Sequence, residues 1–176
     1  MKQAPPILTA LRTATRADHD RLEAMTLGDR IMDGSLTLDE YERIVDWQRR
    51  SHLALEPLVD GFQTDRYAYR RRFPNGAADA GTSPADRATA VGTLYVLEGS
   101  SLGGSMIYRK LLENSALAPA APFAFYRDQA DWGISQWRDL MAYLQEQPFN
   151  EQETARAVAA AHAAFGRFAA EWETDA

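Results

Sequence analysis

Residues 94–107 read LYVLEGSSLGGSMI, and this glycine-interrupted stretch is the most informative part of the chain. Helical periodicity on both sides of it predicts one helix that ends near Asn114. Gly99, Gly103 and Gly104 interrupt this helix, and each costs about 1 kcal/mol relative to alanine in a helix interior. Such a cost indicates either a kink or a backbone that must approach another group closely.

The glycine pattern supports two interpretations. Gly99 and Gly103 are four residues apart and share a helix face, and Gly104 adds a second bare position beside it. Small hydroxyl residues flank this patch, namely Ser100, Ser101 and Ser105. The patch suits close helix packing with a plain kink, and it equally suits backbone contact with a flat ligand.

The same helical period extends over the rest of the chain and predicts an all-α fold. The predicted helices span 7–25, 37–57, 64–73, 83–114, 123–147 and 150–173. No alternating run of β-branched residues predicts a strand. We therefore expect one helical domain over residues 1–176.

Local signals mark several helix ends. Thr37 and Glu40 have the spacing of a capping box, and Ser83 and Asn150 are further N-cap candidates. Pro57 should end or kink the second helix, because proline disrupts a helix interior. Between the third and fourth helices, the run PNGAADAGTSP is rich in turn residues and predicts a mobile loop.

The composition is that of an ordinary globular protein, with 45% apolar and 25% charged residues among 176. The absence of cysteine excludes disulfides, zinc–thiolate sites, cysteine nucleophiles and iron–sulfur clusters. It also fits a reducing cytoplasm. No segment predicts a signal peptide or a membrane span, and a net charge of −6 argues against nucleic acid as a partner. We expect a soluble cytoplasmic protein.

His19 is the main candidate for metal chemistry, because neutral imidazole is a common ligand of iron and zinc. It lies among the apolar positions of the first predicted helix, where a buried core histidine is the alternative. Glu23, four residues on, could accept a hydrogen bond from the ring, and its alternative is a solvated surface carboxylate. His52 and His162 are interpreted as core histidines.

Three segments together resemble the heme oxygenase family, and most closely its bacterial members. Residues 11–15, LRTAT, followed by His19 and by Leu22-Glu23, are similar to the family's proximal helix. Residues 95–104, YVLEGSSLGG, are similar to its glycine-rich distal helix and form the most specific part of the resemblance. The aromatic residues of 165–172 are similar to those that line the pocket from the family's last helix.

The resemblance implies a single-domain helical bundle with haem between the proximal first helix and the glycine-kinked distal helix. It implies that His19 binds the iron, and that the catalytic distal surface consists of Gly99, Ser100, Gly103 and Gly104. Further haem-binding residues that it implies are Arg12, Glu23, Tyr95, Arg138, Phe165 and Phe168. Arg12 and Tyr95 would contact the propionates. Ser100 stands where the animal enzymes carry an aspartate, which bacterial members replace by ordered water.

The implied function is that of a heme oxygenase, with haem b as both cofactor and substrate. The reaction would use O2 and an external electron donor, such as ferredoxin or an NAD(P)H-dependent reductase, and would yield biliverdin, CO and Fe2+. The alternative is a haem or tetrapyrrole carrier on the same helical scaffold, without turnover. An enzyme of the related thiaminase-type fold is disfavoured, because that chemistry usually needs a cysteine nucleophile and the chain has none.

Overall fold

Helices dominate the computed structural model, which describes residues 6–74 and 85–174. Within these ranges the helices are α1 (Ile7–Met25), α2 (Gly28–Asp33), α3 (Leu38–Leu55), α4 (Arg87–Ser100), α5 (Gly104–Glu113), α6 (Ala124–Glu146) and α7 (Glu151–Glu173). Two short 3-10 helices follow α3 and α5, at Glu56–Leu58 and Ser115–Ala120. The predicted all-α class is confirmed. None of the described helices is long and apolar enough to cross a membrane.

Local capping chemistry accounts for two helix starts that the sequence predicts. The Thr37 hydroxyl accepts a hydrogen bond from the Glu40 amide at 3.3 Å, and the Glu40 carboxylate accepts one from the Thr37 amide at 2.9 Å. Asn150 and Glu153 form the same reciprocal pair before α7, at 2.8 and 2.9 Å. Each pair satisfies two backbone groups that a helix start would leave unbonded.

Helix α7 lies at the centre of the bundle and packs against α1, α3 and α4. The first part of its buried face consists of Ala157, Ala161 and Ala164, so neighbouring helices can approach closely there. The closest approach is at Gly92 of α4, where an added Cβ would lie 1.9 Å from the Ala157 carbonyl oxygen. Gly92 is therefore a packing glycine, outside the glycine-rich stretch that the sequence highlights.

The long helix predicted to end near Asn114 is two helices. Helix α4 ends at Ser100 and α5 begins at Gly104. Between them the chain makes tight turns, in which the Ser101 amide donates to the Glu98 carbonyl and the Gly104 amide donates to the Ser101 carbonyl, each at 3.1 Å. We call residues 101–103 the helix break. The prediction of one continuous helix was wrong, and the glycines mark an interruption.

The N-cap of α4 also differs from the prediction. Asp86 caps this helix, and its carboxylate accepts hydrogen bonds from the Ala88 and Thr89 amides at 3.1 and 3.3 Å. Ser83, the predicted cap, and most of the predicted mobile loop lie outside the described residues.

The predicted helix over residues 64–73 is absent, and this segment is extended with one antiparallel bridge between Gln63 and Ala68. Burial alternates over residues 67–70, where Tyr67 is buried, Tyr69 is half-buried, and Ala68 and Arg70 are exposed. A period of two residues is typical of extended backbone. The helix prediction was therefore wrong, and the segment carries the buried Arg72 toward the helix break.

Candidate functional site

His19 projects from α1 into solvent, with 64% of its side chain exposed. His19 therefore does not lie on the buried face of α1, and the alternative of a buried core histidine is wrong. Its Nδ1 atom is 3.5 Å from the Asp20 carboxylate and 3.9 Å from the Glu23 carboxylate. One ligand atom from each of the three residues lies within 4.8 Å of the others. The sequence indicated Glu23 beside the ring but missed Asp20, which is nearer.

The aromatic residues of α7 separate into two environments. Phe165 packs its ring against His19, with centroids 6.5 Å apart and planes nearly perpendicular. Phe168 is 2% exposed and packs in the core against Trp47 and His52. The structure therefore brings Phe165, and not Phe168, to the predicted iron ligand.

The remaining histidines also fall in different places. His52 is fully buried, as predicted. His162 is exposed on α7, and its Nδ1 pairs with the Asp18 carboxylate of α1. The prediction of a core histidine at this position was wrong, because the ring points away from the alanine-rich face of α7.

Tyr95 connects α4 to α1 and α6. Burial raises the pKa of its phenol, while the neighbouring Arg12 guanidinium and Thr15 hydroxyl act in the opposite direction. Its ring lies 5.6 Å from the ring of Trp137 on α6. The structure thus brings Arg12 and Tyr95 together, as their shared predicted role requires. Arg138 is exposed on α6.

The three glycines of the distal segment have separate environments. A Cβ at Gly103 would meet only the Ile107 Cδ1 atom at 3.7 Å, and a Cβ at Gly99 would meet Trp137 at 3.6 Å. At Gly104 the added Cβ would lie 2.9 Å from the Gln129 Cβ of α6. Gly103 is therefore open, whereas Gly104 is required for close packing of α5 on α6. The packing interpretation therefore holds for Gly104, whereas contact with a flat ligand stays a prediction for Gly103.

Leu102 and Met106 beside the open glycine are also exposed, by 41% and 55%. The neighbouring Ser100 is exposed as well, and its hydroxyl donates to the Leu97 carbonyl at 2.7 Å. This side of the helix break is a bare, partly apolar surface. Exposed large apolar side chains grouped on one surface commonly mark a contact with a ligand or partner.

A buried ionic cluster occupies the opposite side of the helix break. Glu98 is fully buried, and its carboxylate accepts hydrogen bonds from Arg72 at 2.5 Å and from the Tyr67 hydroxyl. Burial alone would lower the pKa of Arg72, but the nearby Tyr69 and Glu98 raise it above its ordinary value. Sequence reasoning missed this cluster, because its members are separated by up to 31 residues.

His52 is held in its neutral form next to this cluster. Burial, followed by the positive charge of Arg72, lowers the pKa of its imidazole to about 3. Its Nδ1 atom lies 2.7 Å from the Gln48 carbonyl oxygen and can donate to it. Its Nε2 atom has no hydrogen-bond partner among the described residues. His52 therefore has the surroundings of a core residue and is closed to solvent.

Taken one by one, these residues offer features that suit haem as a ligand. His19 offers an accessible imidazole, and Phe165 supplies an aromatic edge beside it. Arg12 supplies a cation for a carboxylate, and the surface around Gly103 is open to a flat apolar group. A porphyrin with an iron centre and two propionates presents each of these complementary features.

Comparison with known proteins identifies the family. The family model described as heme oxygenase matches residues 75–173, which include the helix break and α7. Over 154 residues the chain is 32% identical to a heme oxygenase of Xanthomonas campestris pv. campestris (strain 8004), and this match covers 77% of the chain and 90% of the relative. No solved structure matches the chain. The chain belongs to the heme oxygenase family.

Proposed function

We propose that this heme oxygenase cleaves haem to biliverdin, CO and Fe2+ with O2 and electrons from an external donor such as ferredoxin or an NAD(P)H-dependent reductase. The observation that carries the proposal is the accessible imidazole of His19. Bound haem supplies the iron that activates O2, and the protein supplies the axial ligand and the orientation. The site of action in this proposal is the cytoplasm, where a chain without cysteines has no need of oxidising conditions.

On the proximal side, the two ring nitrogens of His19 have different roles. Nδ1 faces the carboxylates of Asp20 and Glu23, so Nε2 would be the atom left to hold the iron. A carboxylate beside the N–H of a metal-bound imidazole fixes its tautomer and raises its basicity. Phe165 lies against the ring from one side.

On the distal side, the open surface at Gly103 would face the porphyrin. A side chain there would occupy the space above the ring, whereas glycine leaves only backbone. Gly99 and the exposed Ser100 would border the same space, and Gly104 would act through its packing on α6. The family resemblance also implies Phe168 and Arg138 as haem-binding residues. Phe168 would act from the core, and Arg138 from the exposed surface of α6.

The propionates would be bound where α1 meets α4. Arg12 and Tyr95 are neighbours there, one a permanent cation and the other a hydroxyl donor. Arg12→Glu is therefore expected to weaken hemin binding or to change the ratio of biliverdin isomers, because reversing the charge changes how the porphyrin is seated. Hemin titration and chromatography of the products measure the two quantities. An unchanged affinity together with an unchanged isomer ratio would place Arg12 outside the haem site.

Turnover itself separates an enzyme from a carrier. The purified protein is mixed with hemin, ascorbate and O2, and its absorption spectrum is followed. We expect the Soret band to fade while a broad red absorption grows, as biliverdin replaces haem. A Soret band that forms and then persists under O2 and reductant would favour the carrier instead.

A further inference from the structure

We propose that the buried Glu98–Arg72 pair positions the helix break, and with it the open surface at Gly103, from the interior side of the protein. Neither residue touches the exposed distal surface, so both are positioning residues. The consequence for haem rests on the proposed function. The consequence for the geometry of residues 101–103 is a property of the protein without haem.

One guanidinium binds both ends of the turn that precedes the break. Arg72 Nη2 donates to the Glu98 carboxylate at 2.5 Å and to the Ser101 hydroxyl at 3.2 Å. Glu98 and Ser101 are three residues apart along the chain, with Gly99 and Ser100 between them. Their relative position is therefore set by Arg72, from outside the helix, in addition to the backbone hydrogen bonds of the turn.

Arg72 can serve as a fixed reference because it is itself held on several sides. Its Nη1 donates to the Arg70 carbonyl, and its backbone amide donates to the buried Glu56 carboxylate at 2.7 Å. Its guanidinium lies over the rings of Trp132 and Tyr69, at 4.6 and 4.9 Å from their centroids. Only 8% of the residue is exposed.

Helix α6 holds the break from a second direction. A Cβ at Gly133 would lie 3.0 Å from the Ser101 carbonyl oxygen, so the α6 backbone contacts the break directly. The Glu98 carboxylate also accepts from the Tyr67 hydroxyl, which is anchored in the same extended segment as Arg72. Ser101 thus lies between α6 and the buried ion pair, and removal of the pair would leave only one of the two restraints.

Stability alone does not explain such a pair. A buried ion pair gains little over apolar side chains of similar volume, although removal of one partner leaves the other charge buried and costly. Replacement of both partners together therefore removes the positional restraint without leaving an unpaired buried charge. A role in stability and a role in positioning predict different behaviour of the double variant.

The test compares the wild-type chain with the double variant Arg72→Met/Glu98→Leu by hydrogen exchange without haem. We expect a cooperative melting transition close to that of the wild type, and exchange of the amides of residues 99–105 that is about tenfold faster. Hemin affinity should fall in parallel. Exchange at wild-type rates in residues 99–105 would overturn the proposal, whatever the activity of the variant.

A matched pair of single variants controls for the loss of an ion pair as such. Glu98→Gln removes a carboxylate at the C-terminal end of α4. Glu153→Gln removes the partner of Arg87 at the N-terminal end of α4, where the guanidinium and the carboxylate are 3.0 Å apart. Only Glu98→Gln should speed exchange at residues 99–105, and equal effects would contradict the proposal. If the double variant does not fold, Glu98→Gln decides by the same criterion.

The two proposals fail in different ways. Wild-type protein that does not bind hemin would contradict the proposed function, while the exchange rates would still decide the positioning role. Wild-type protein that degrades hemin, together with a double variant of unchanged exchange, would contradict the positioning role alone.

Discussion

His19→Ala is expected to abolish the spectrum of histidine-ligated haem while leaving the helical fold intact. Loss of a group that only orients a metal-bound histidine already costs about 10- to 100-fold in metal affinity, so loss of the imidazole itself should cost at least as much. The apo protein should be almost unaffected, because the side chain is 64% exposed and alanine favours a helix. Hemin titration followed by absorption, and thermal melting of the apo variant, measure the two effects.

His162→Ala is the matched control, because it removes another exposed imidazole that also borders α1. Its hemin spectrum should remain that of the wild type. Added imidazole should restore the ligated spectrum of His19→Ala, since the small molecule can occupy the vacated position. If His19→Ala keeps the wild-type spectrum and His162→Ala loses it, the iron ligand is His162 and not His19. His52 is fully buried and unable to substitute without rearrangement of the core.

Most helices could be predicted from the sequence because their causes are local. The capping pairs before α3 and α7 span four residues each, and the apolar period that defines a helix repeats within one element. Among the described α-helices, only the short α2 was missed, since six residues carry too little periodicity; its last residue is followed by Gly34, whose φ of +77° favours glycine.

The helix break and the extended segment depend on distant contacts, so local rules failed there. The glycines of 99–104 indicated an irregularity, but the groups that contact it, Arg72 and Gly133 of α6, lie far from it along the chain. Residues 64–73 contain good helix formers, yet burial of Tyr67 and Arg72 against Glu98 favours an extended chain. A buried arginine in a run of three could not be recognised without its carboxylate partner, which lies 26 residues away.

The candidate site shows the same division. His19 and Glu23 could be paired from their spacing of four along α1, and Gly103 from the unusual glycine content. The exposure of His19, the nearer Asp20 carboxylate and the separation of Phe165 from Phe168 follow from how α1 and α7 pack. Residue types and spacing thus predicted the chemistry, whereas helix packing determines which side chains can take part.

Gly103→Leu is expected to leave the apo protein as stable as the wild type while haem binding or haem degradation falls sharply. The backbone at Gly103 has φ −77° and ψ −7°, which any L-residue adopts, and an added Cβ meets only Ile107 at 3.7 Å. Leucine is also favoured over glycine in helical backbone by as much as about 1 kcal/mol. If the open surface faces haem, the new side chain enters the space that the porphyrin or O2 requires.

Gly104→Leu separates this effect from ordinary packing. Its Cβ would lie 2.9 Å from the Gln129 Cβ in the contact between α5 and α6. Overpacking at such a position should destabilise the apo protein by about 1–3 kcal/mol. Thermal melting of both apo variants, beside their rates of haem degradation per folded molecule, distinguishes the two glycines. A Gly103→Leu variant that melts normally and degrades haem at the wild-type rate would show that the open surface is not the distal side, because a leucine there could not be accommodated beside a bound porphyrin.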